Sequence, residues 1–215
     1  LNYDGYKKII ELSSKSYLEN TELTEPFCNF NELLKNLNGI SLLSGSINSL
    51  SGKLFNMGRN DDVIDIYKKL QSIYKENFYL EIQRHGDLNE KSFEGFNLTK
   101  SKELGIPIIA THEVFYLNKE MHEAHDALRC IGSKSYINDK GRVKLSNEHY
   151  FKSNDEMSNL FHDLPEALEN NYNFPFKCNF RPVPSKPILP DIGTDKGINA
   201  SDLLKIDAEK GLRDK

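Results

Sequence analysis

The sequence predicts an α/β protein built on parallel strands, and three observations carry that reading. Phe78, Leu80 and Ile82 alternate in a strand pattern, a helical stretch follows over 89–104, and a second apolar run covers 106–110. Strand, helix, strand is a βαβ unit, whose two strands run parallel and end on the same edge of the sheet. A shorter apolar run, 39–43, ends at Ser44-Gly45-Ser46 and is joined to Phe78 by helical sequence. The third observation is the stripe Val63, Ile66, Tyr67, Leu70, Ile73 and Tyr74, an unbroken 3,4 spacing that marks one buried helix face.

Taken in order, the chain opens on a helix that Asp4 can cap, with Tyr6, Ile9, Ile10 and Tyr17 on one face. A short helix is expected over 29–36, then the strand 39–43, then a helix over 47–57 weakened by Gly52. The helix 60–74 delivers the chain to the strand at Phe78. After the next helix, Gly105 suits a left-handed C-terminal cap, and Pro107 stands at the start of the following strand. Asn118 is expected to cap a helix over 119–131 whose inward face is Met121, Ala124, Leu128 and Ile131, stopped by Gly132. Residues 133–147 read as an exposed loop or hairpin and Tyr150-Phe151 as a short strand. Ser153 with Glu156 forms a capping box, and Pro165 stands in the first turn of a helix reaching Tyr172. Five prolines between 174 and 197 block helix and central strand alike, so that segment reads as an extended linker. Ser201 is then expected to cap a final amphipathic helix carrying Leu203, Leu204 and Leu212.

Composition narrows the function classes. The 28 basic and 32 acidic residues leave a net charge of −4, which disfavours non-specific binding of phosphate backbones by the whole surface. Mean hydropathy is −0.59, and no apolar run approaches the roughly 20 residues of a membrane span. Cys28, Cys130 and Cys178 are far apart, so neither a thiolate zinc knot nor a redox dithiol is supported, and their usage fits a reducing cytoplasm. The chain opens on Leu1 directly into a helix and stops at Lys215 inside another, so both ends read as cuts through a longer polypeptide.

Candidate chemistry gathers where the strands of the βαβ unit end, the edge where ligands bind in α/β sheets. His85 follows the first strand, and a neutral imidazole there can ligate a metal; the alternative is a turn histidine. His112 and Glu113 follow the second. Adjacent residues of an extended chain face opposite ways, so one of the two can face a site, as metal ligand or general base; the alternative is an exposed polar pair. His122 and His125 lie three apart on a helix, but His122-Glu123-Ala124-His125 is one residue short of HExxH, and a hydrogen-bonded core histidine is the better reading of His125. Ser44-Gly45-Ser46 lacks the GxSxG pattern, and neither a Walker A loop nor GxGxxG occurs.

Several phrases agree, in order, with one family: GYKKIIELSSKSYLEN from Gly5, ISLLSGSINSLSGKL from Ile40, YLEIQRHG from Tyr79, GIPIIATHEVFYL from Gly105, AHDALRCIG from Ala124, HYFKSNDEM from His149 and LPEALEN from Leu164. Together they resemble the PHP (polymerase and histidinol phosphatase) domain of the bacterial replicative DNA polymerase III alpha subunit. The resemblance implies a partial, distorted (β/α)7 barrel over 1–172 with metal ligands at the strands' carboxyl ends, a proline-rich linker over 173–200, and the start of a palm-region helix over 201–215. It implies that the family's first motifs, of HxH and TDHG type, and the polymerase aspartates lie outside this chain. His85 matches the histidine of the family's RHG phrase. Glu113 stands where a TNDVH-like motif has aspartate, Phe115 stands where that motif has its histidine ligand, and Ser46 stands where cysteine is common. A phenyl ring cannot coordinate a metal. The metal site, for Zn or Mn/Mg, is therefore expected to be degenerate and reduced to His85 and Glu113, with Mg serving the parent polymerase elsewhere. The implied role is a cytoplasmic structural and docking domain for the proofreading exonuclease and other replicase subunits, with DNA held by the parent protein. The alternative is a metal-dependent phosphoesterase or 3′–5′ proofreading exonuclease.

Overall fold

A computed structural model describes residues 1–19, 26–35, 38–184, 186–187 and 197–214. These divide into two compact units, 1–180 and 181–215. The first is an α/β unit centred on a parallel three-stranded sheet in the order β1 (Leu42–Leu43), β2 (Phe78–Ile82), β3 (Ile108–Ala110). Leu42 pairs with Phe78, and Leu80 with Ile108. Strand β3 begins two residues later than the apolar run because Pro107 has no N–H to give; its carbonyl still accepts from the Leu80 amide at 2.9 Å. Beyond β3, Tyr116 forms an isolated parallel bridge with Tyr150, held by Phe115 N–H to the His149 carbonyl and Phe151 N–H to the Tyr116 carbonyl. This continues the parallel pairing by one ladder step, and it brings residue 149 beside the ends of β2 and β3.

Among the described residues, the α-helices before Tyr150 are α1 (Tyr3–Leu18), α2 (Phe30–Leu33), α3 (Leu50–Asn56), α4 (Asn60–Tyr74), α5 (Glu90–Leu104) and α6 (His122–Ser133). Helices α7 (Asn154–Leu160) and α8 (Pro165–Asn173) follow Tyr150. The α4 stripe buries Val63, Tyr67, Leu70 and Tyr74 against Phe78, Leu80 and Ile82, and Phe161, just after α7, and Ala167 of α8 close the same core. Burial of such side chains contributes on the order of 1.5–3 kcal/mol each. Gly105 caps α5 at φ 67°, where its amide reaches the Ser101 carbonyl. The capping box at Ser153 and Glu156 and Pro165 at the start of α8 form as the sequence predicts.

Several expectations are corrected. Asn2, in extended conformation, caps α1 by accepting from Gly5 N–H, while Asp4 lies in the first turn, where it favours the helix dipole. Ile9, Ile10 and Tyr17 are exposed, and α1 buries only Gly5, whose Cα is so close to the Gly39 carbonyl that a Cβ would sit 1.9 Å from its oxygen. Helix α3 starts at Leu50 because the Ser49 side chain caps it. The expected inward face of α6 points to solvent: Met121, Leu128 and Ile131 are exposed, and Asp126 and Cys130 are buried instead. The Asp126 carboxylate is held by a bidentate pairing with Arg142 from the following loop, which fixes that helix rotation.

The proline-rich stretch opens with a 3₁₀ turn, Phe174–Lys177, since proline is tolerated in a first turn. Pro182, Pro184 and Pro187 carry no regular structure, and Pro190 lies outside the described residues. The second unit contains α9 (Ala200–Arg213), capped by Asn199 rather than Ser201 through acceptance from Asp202 N–H at 2.9 Å. No helix among the described residues is long and apolar enough to cross a membrane.

Candidate metal centre

Three histidine rings meet at the carboxyl edge of the sheet. His85 follows β2, His112 follows β3, and His149 precedes the bridge at Tyr150. The His85 ring stacks against His149 at 4.1 Å between centroids with planes 3° apart, and against His112 at 4.4 Å. His85 and His149 are both almost fully buried.

Their partners fix the tautomers. Glu90, in the first turn of α5, accepts from the backbone N–H groups of His85 and Gly86 at 2.7 and 2.8 Å and lies 3.2 Å from His85 Nδ1. Burial alone would raise the Glu90 carboxyl, but these hydrogen bonds outweigh it and hold it below the usual carboxylate range. An ionised Glu90 makes His85 Nδ1 the donor. His85 Nε2 is then an acceptor, and it takes the backbone N–H of Glu113 at 3.1 Å. His149 Nδ1–H donates to the Glu113 carbonyl at 3.2 Å, and His112 Nε2–H to the Glu148 carbonyl at 2.8 Å. Each leaves a bare ring nitrogen: His149 Nε2 and His112 Nδ1 are buried without a hydrogen-bond partner. Burial, reinforced by the nearby His85, lowers the pKa of His112 to about 4 and lowers that of His149. Both rings are neutral near pH 7, the form that ligates metals.

Asp87 lies next to this group, with its Oδ1 4.0 Å from His149 Nε2. One ligand atom from each of His85, Asp87 and His149 falls within 4.8 Å of the others. Two imidazoles and a carboxylate suit a divalent metal of the zinc type, and the buried bare nitrogen of His149 fits one.

The sequence pair His85 and Glu113 is thus brought together, but through the main chain of Glu113. Its carboxylate stays half-exposed, 3.8 Å from His149 Nδ1, while the His112 ring stacks on His85. Phe115 packs its ring on His125 at 5.5 Å and on His149 at 5.4 Å. Ser46 lines a cavity of about 10 Å³ beside Glu90 and Asn97, room for one water at most. His122 donates to the Leu145 carbonyl and His125 packs on Tyr116, so both are used structurally. Sequence reasoning missed Asp87 and His149. The phrase HYFKSNDEM, with a strand expected at Tyr150-Phe151, was the signal for His149, since it places that residue at a sheet edge.

Residues 1–85 match the PHP domain family. The chain is homologous along nearly all of its length to proteins named DNA polymerase III subunit alpha. It is 35% identical over 212 residues to that of Rickettsia conorii, covering 97% of this chain and 18% of the relative. It is 32% identical over 212 residues to that of Caulobacter vibrioides, covering 99% and 18%. With that of Pseudomonas aeruginosa the identity is 28% over 216 residues, covering 100% and 18%. The chain therefore spans about a fifth of the length of these relatives.

Proposed function

We propose that this chain is part of a replicative DNA polymerase III alpha subunit, acting in cytoplasmic DNA synthesis as a structural and docking domain. The observation that carries the reading is its homology, end to end, with segments of proteins bearing that name. On this reading 1–172 is the carboxyl-terminal portion of a PHP-type (β/α)7 barrel, 173–200 a linker, and 201–215 the start of the palm region. Template-directed synthesis, with its Mg, belongs to the parent protein and not to this portion. The PHP metal site is degenerate relative to the family pattern. Phe115, at the position of a ligand histidine, packs against His149 and His125, and the Glu113 carboxylate is half-exposed.

The partner is the proofreading exonuclease subunit. Exposed apolar side chains that follow one another along α6 and its succeeding loop support an interaction role: Leu128, Ile131, Tyr136, Ile137 and Val143. Titrating the exonuclease subunit against the chain tests it. Complex formation at micromolar concentration is expected, and unchanged migration at that concentration removes the docking role.

The second reading is a metal-dependent phosphoesterase or 3′–5′ exonuclease. Its support is the bare, buried His149 Nε2 near the Asp87 carboxylate at the sheet's ligand edge. Zn- or Mn-dependent release of nucleotides from single-stranded DNA, abolished in His85→Ala, would establish it over the scaffold. No release above the chelator-treated control is the outcome expected here.

A further inference from the structure

We propose that the chain binds a small phosphomonoester, its phosphate held by Arg129 and Ser135 in a cavity between the carboxyl end of α6 and the loop that follows. This goes beyond the docking reading and does not rest on it.

The cavity measures about 340 Å³ and is lined by Arg129, Cys130, Ser133, Ser135, Arg142 and Val143. Sites for small molecules start at roughly 300 Å³ and combine an apolar wall with a few placed polar groups. None of the histidines at the sheet edge lines it.

Arg129 is the group that the fold leaves unused. Its Nη1 is buried and has no hydrogen-bond partner among the described residues. The arginine ion pairs among those residues are made by Arg59, Arg84, Arg142 and Arg213, and Arg129 stands outside them. Arg142, on the same wall, is neutralised by its bidentate pairing with Asp126, and its Nε–H donates to the Ile137 carbonyl at 3.0 Å. Arg129 thus brings one uncompensated positive charge to the cavity. A buried donor without a partner is costly, and such a group in a native protein calls for an explanation. An anion in the cavity supplies one.

The hydroxyls select the kind of anion. Ser133 Oγ–H donates to the Arg129 carbonyl at 2.9 Å, and the Ser133 and Ser135 Oγ atoms lie 2.7 Å apart. With the Ser133 proton committed to the backbone, Ser135 is the donor of that pair. It can turn its O–H to a ligand while Ser133 keeps its own bond. A guanidinium fork takes two oxygens of a carboxylate or a phosphate. A carboxylate then has no further oxygen, whereas a phosphate offers a third to Ser135. The cavity is larger than one phosphate group, and Val143 gives the remainder an apolar wall. An ester with a small organic group fits that space better than inorganic phosphate.

Isothermal titration calorimetry of the full chain tests this, in phosphate-free buffer at about 0.15 M salt. The probes are thymidine 5′-monophosphate, glucose 6-phosphate, inorganic phosphate and thymidine. One site per chain with a Kd below about 1 mM is expected for at least one ester. Inorganic phosphate should bind more weakly than that ester, and thymidine should not bind. Arg129→Gln should weaken binding by about tenfold or more, and Ser135→Ala by about threefold or more. Circular dichroism checks the fold of each variant; Arg129→Gln breaks no ion pair, and if it unfolds Ser135→Ala decides. No saturation by any phosphate compound up to about 10 mM overturns the proposal, as does undiminished affinity in the folded variants. Inorganic phosphate binding as tightly as both esters overturns the assignment of an ester. Loss of exonuclease-subunit binding in Arg129→Gln, with no phosphate compound bound by the parent chain, would assign the arginine to an acidic side chain of that partner instead.

Discussion

At the scale of single residues, the polar groups beneath the sheet edge set the sharpest expectations. The Tyr67 hydroxyl donates to Asn97 Oδ1 at 2.9 Å in a fully enclosed site, and burial pushes its pKa up to about 12. Asn97 is wholly buried and its Nδ2 already lacks a partner. Tyr67→Phe should therefore cost about 1–3 kcal/mol, because it leaves the amide oxygen unsatisfied, whereas adding Asn97→Leu should recover part of the loss. Urea denaturation midpoints check both, and an unchanged midpoint in Tyr67→Phe would show that the pair contributes nothing. Asp163 supplies the pH-dependent case. Its hydrogen bonds to Arg84 pull the carboxyl from 3.8 to about 2. The folded-state pKa is the depressed one, so the stabilisation is full above about pH 4 and is lost as pH falls toward 2. The carboxylate is half-exposed, which limits the effect to about 1 kcal/mol or less. Asp163→Asn should flatten the stability curve between pH 4 and 2 while leaving it parallel to the parent above pH 5. His85 could be read from the sequence because it ends a clean strand pattern. His149 was harder to read, because it lies 36 positions beyond Glu113 and is brought to the site by the Tyr116–Tyr150 bridge and its neighbouring hydrogen bonds, which no local pattern announces.

At the scale of elements, periodicity was informative where one face alone is buried by the sheet. Helix α4 runs over 60–74 as its stripe demands, and β2 and β3 fall within the two apolar runs. In α6 the apolar stripe and the buried stripe differ. The Asp126–Arg142 pairing anchors α6 by its polar side, and no spacing rule signals an ion pair between residues sixteen positions apart, one on the helix and one on the loop after it. The rotation has a consequence for docking. Leu128→Glu with Ile131→Glu places charge only on exposed positions, so thermal stability should change by no more than about 0.5 kcal/mol per site. Binding of the exonuclease subunit should weaken by about tenfold or more if this face is the contact. Calorimetric titration separates the outcomes: full affinity in the double variant moves the docking surface elsewhere, and collapse of the fold would mean that the face is structural. Phe161→Ala provides the contrasting core case. Its ring is fully buried beneath the Arg84 guanidinium, and about 3–5 kcal/mol should be lost.

At the scale of the whole molecule, charge argues where nucleic acid is not held. Non-specific binding to DNA comes from neutralising phosphates and releasing counterions, so it needs a concentration of Lys and Arg on one surface. The chain has 28 such residues against 32 acidic ones. Several of the basic groups are already engaged: Arg84 with Glu94 and Asp163, Arg142 with Asp126, and Lys119 and Lys152 with Glu148. A phosphate would have to displace a carboxylate at each of these. The relatives are more than five times longer, and on the proposed reading the template is gripped by their remaining length. Fluorescence anisotropy with a labelled single-stranded oligonucleotide at 0.15 M salt, a condition chosen because non-specific affinities there lie at about 10⁻⁴–10⁻⁶ M, should show no saturation below about 100 µM. Saturable micromolar binding that weakens steeply with salt would place DNA on this unit and favour the nuclease reading over the scaffold. Binding that survives high salt and requires added zinc would instead direct attention to the edge formed by His85, Asp87 and His149.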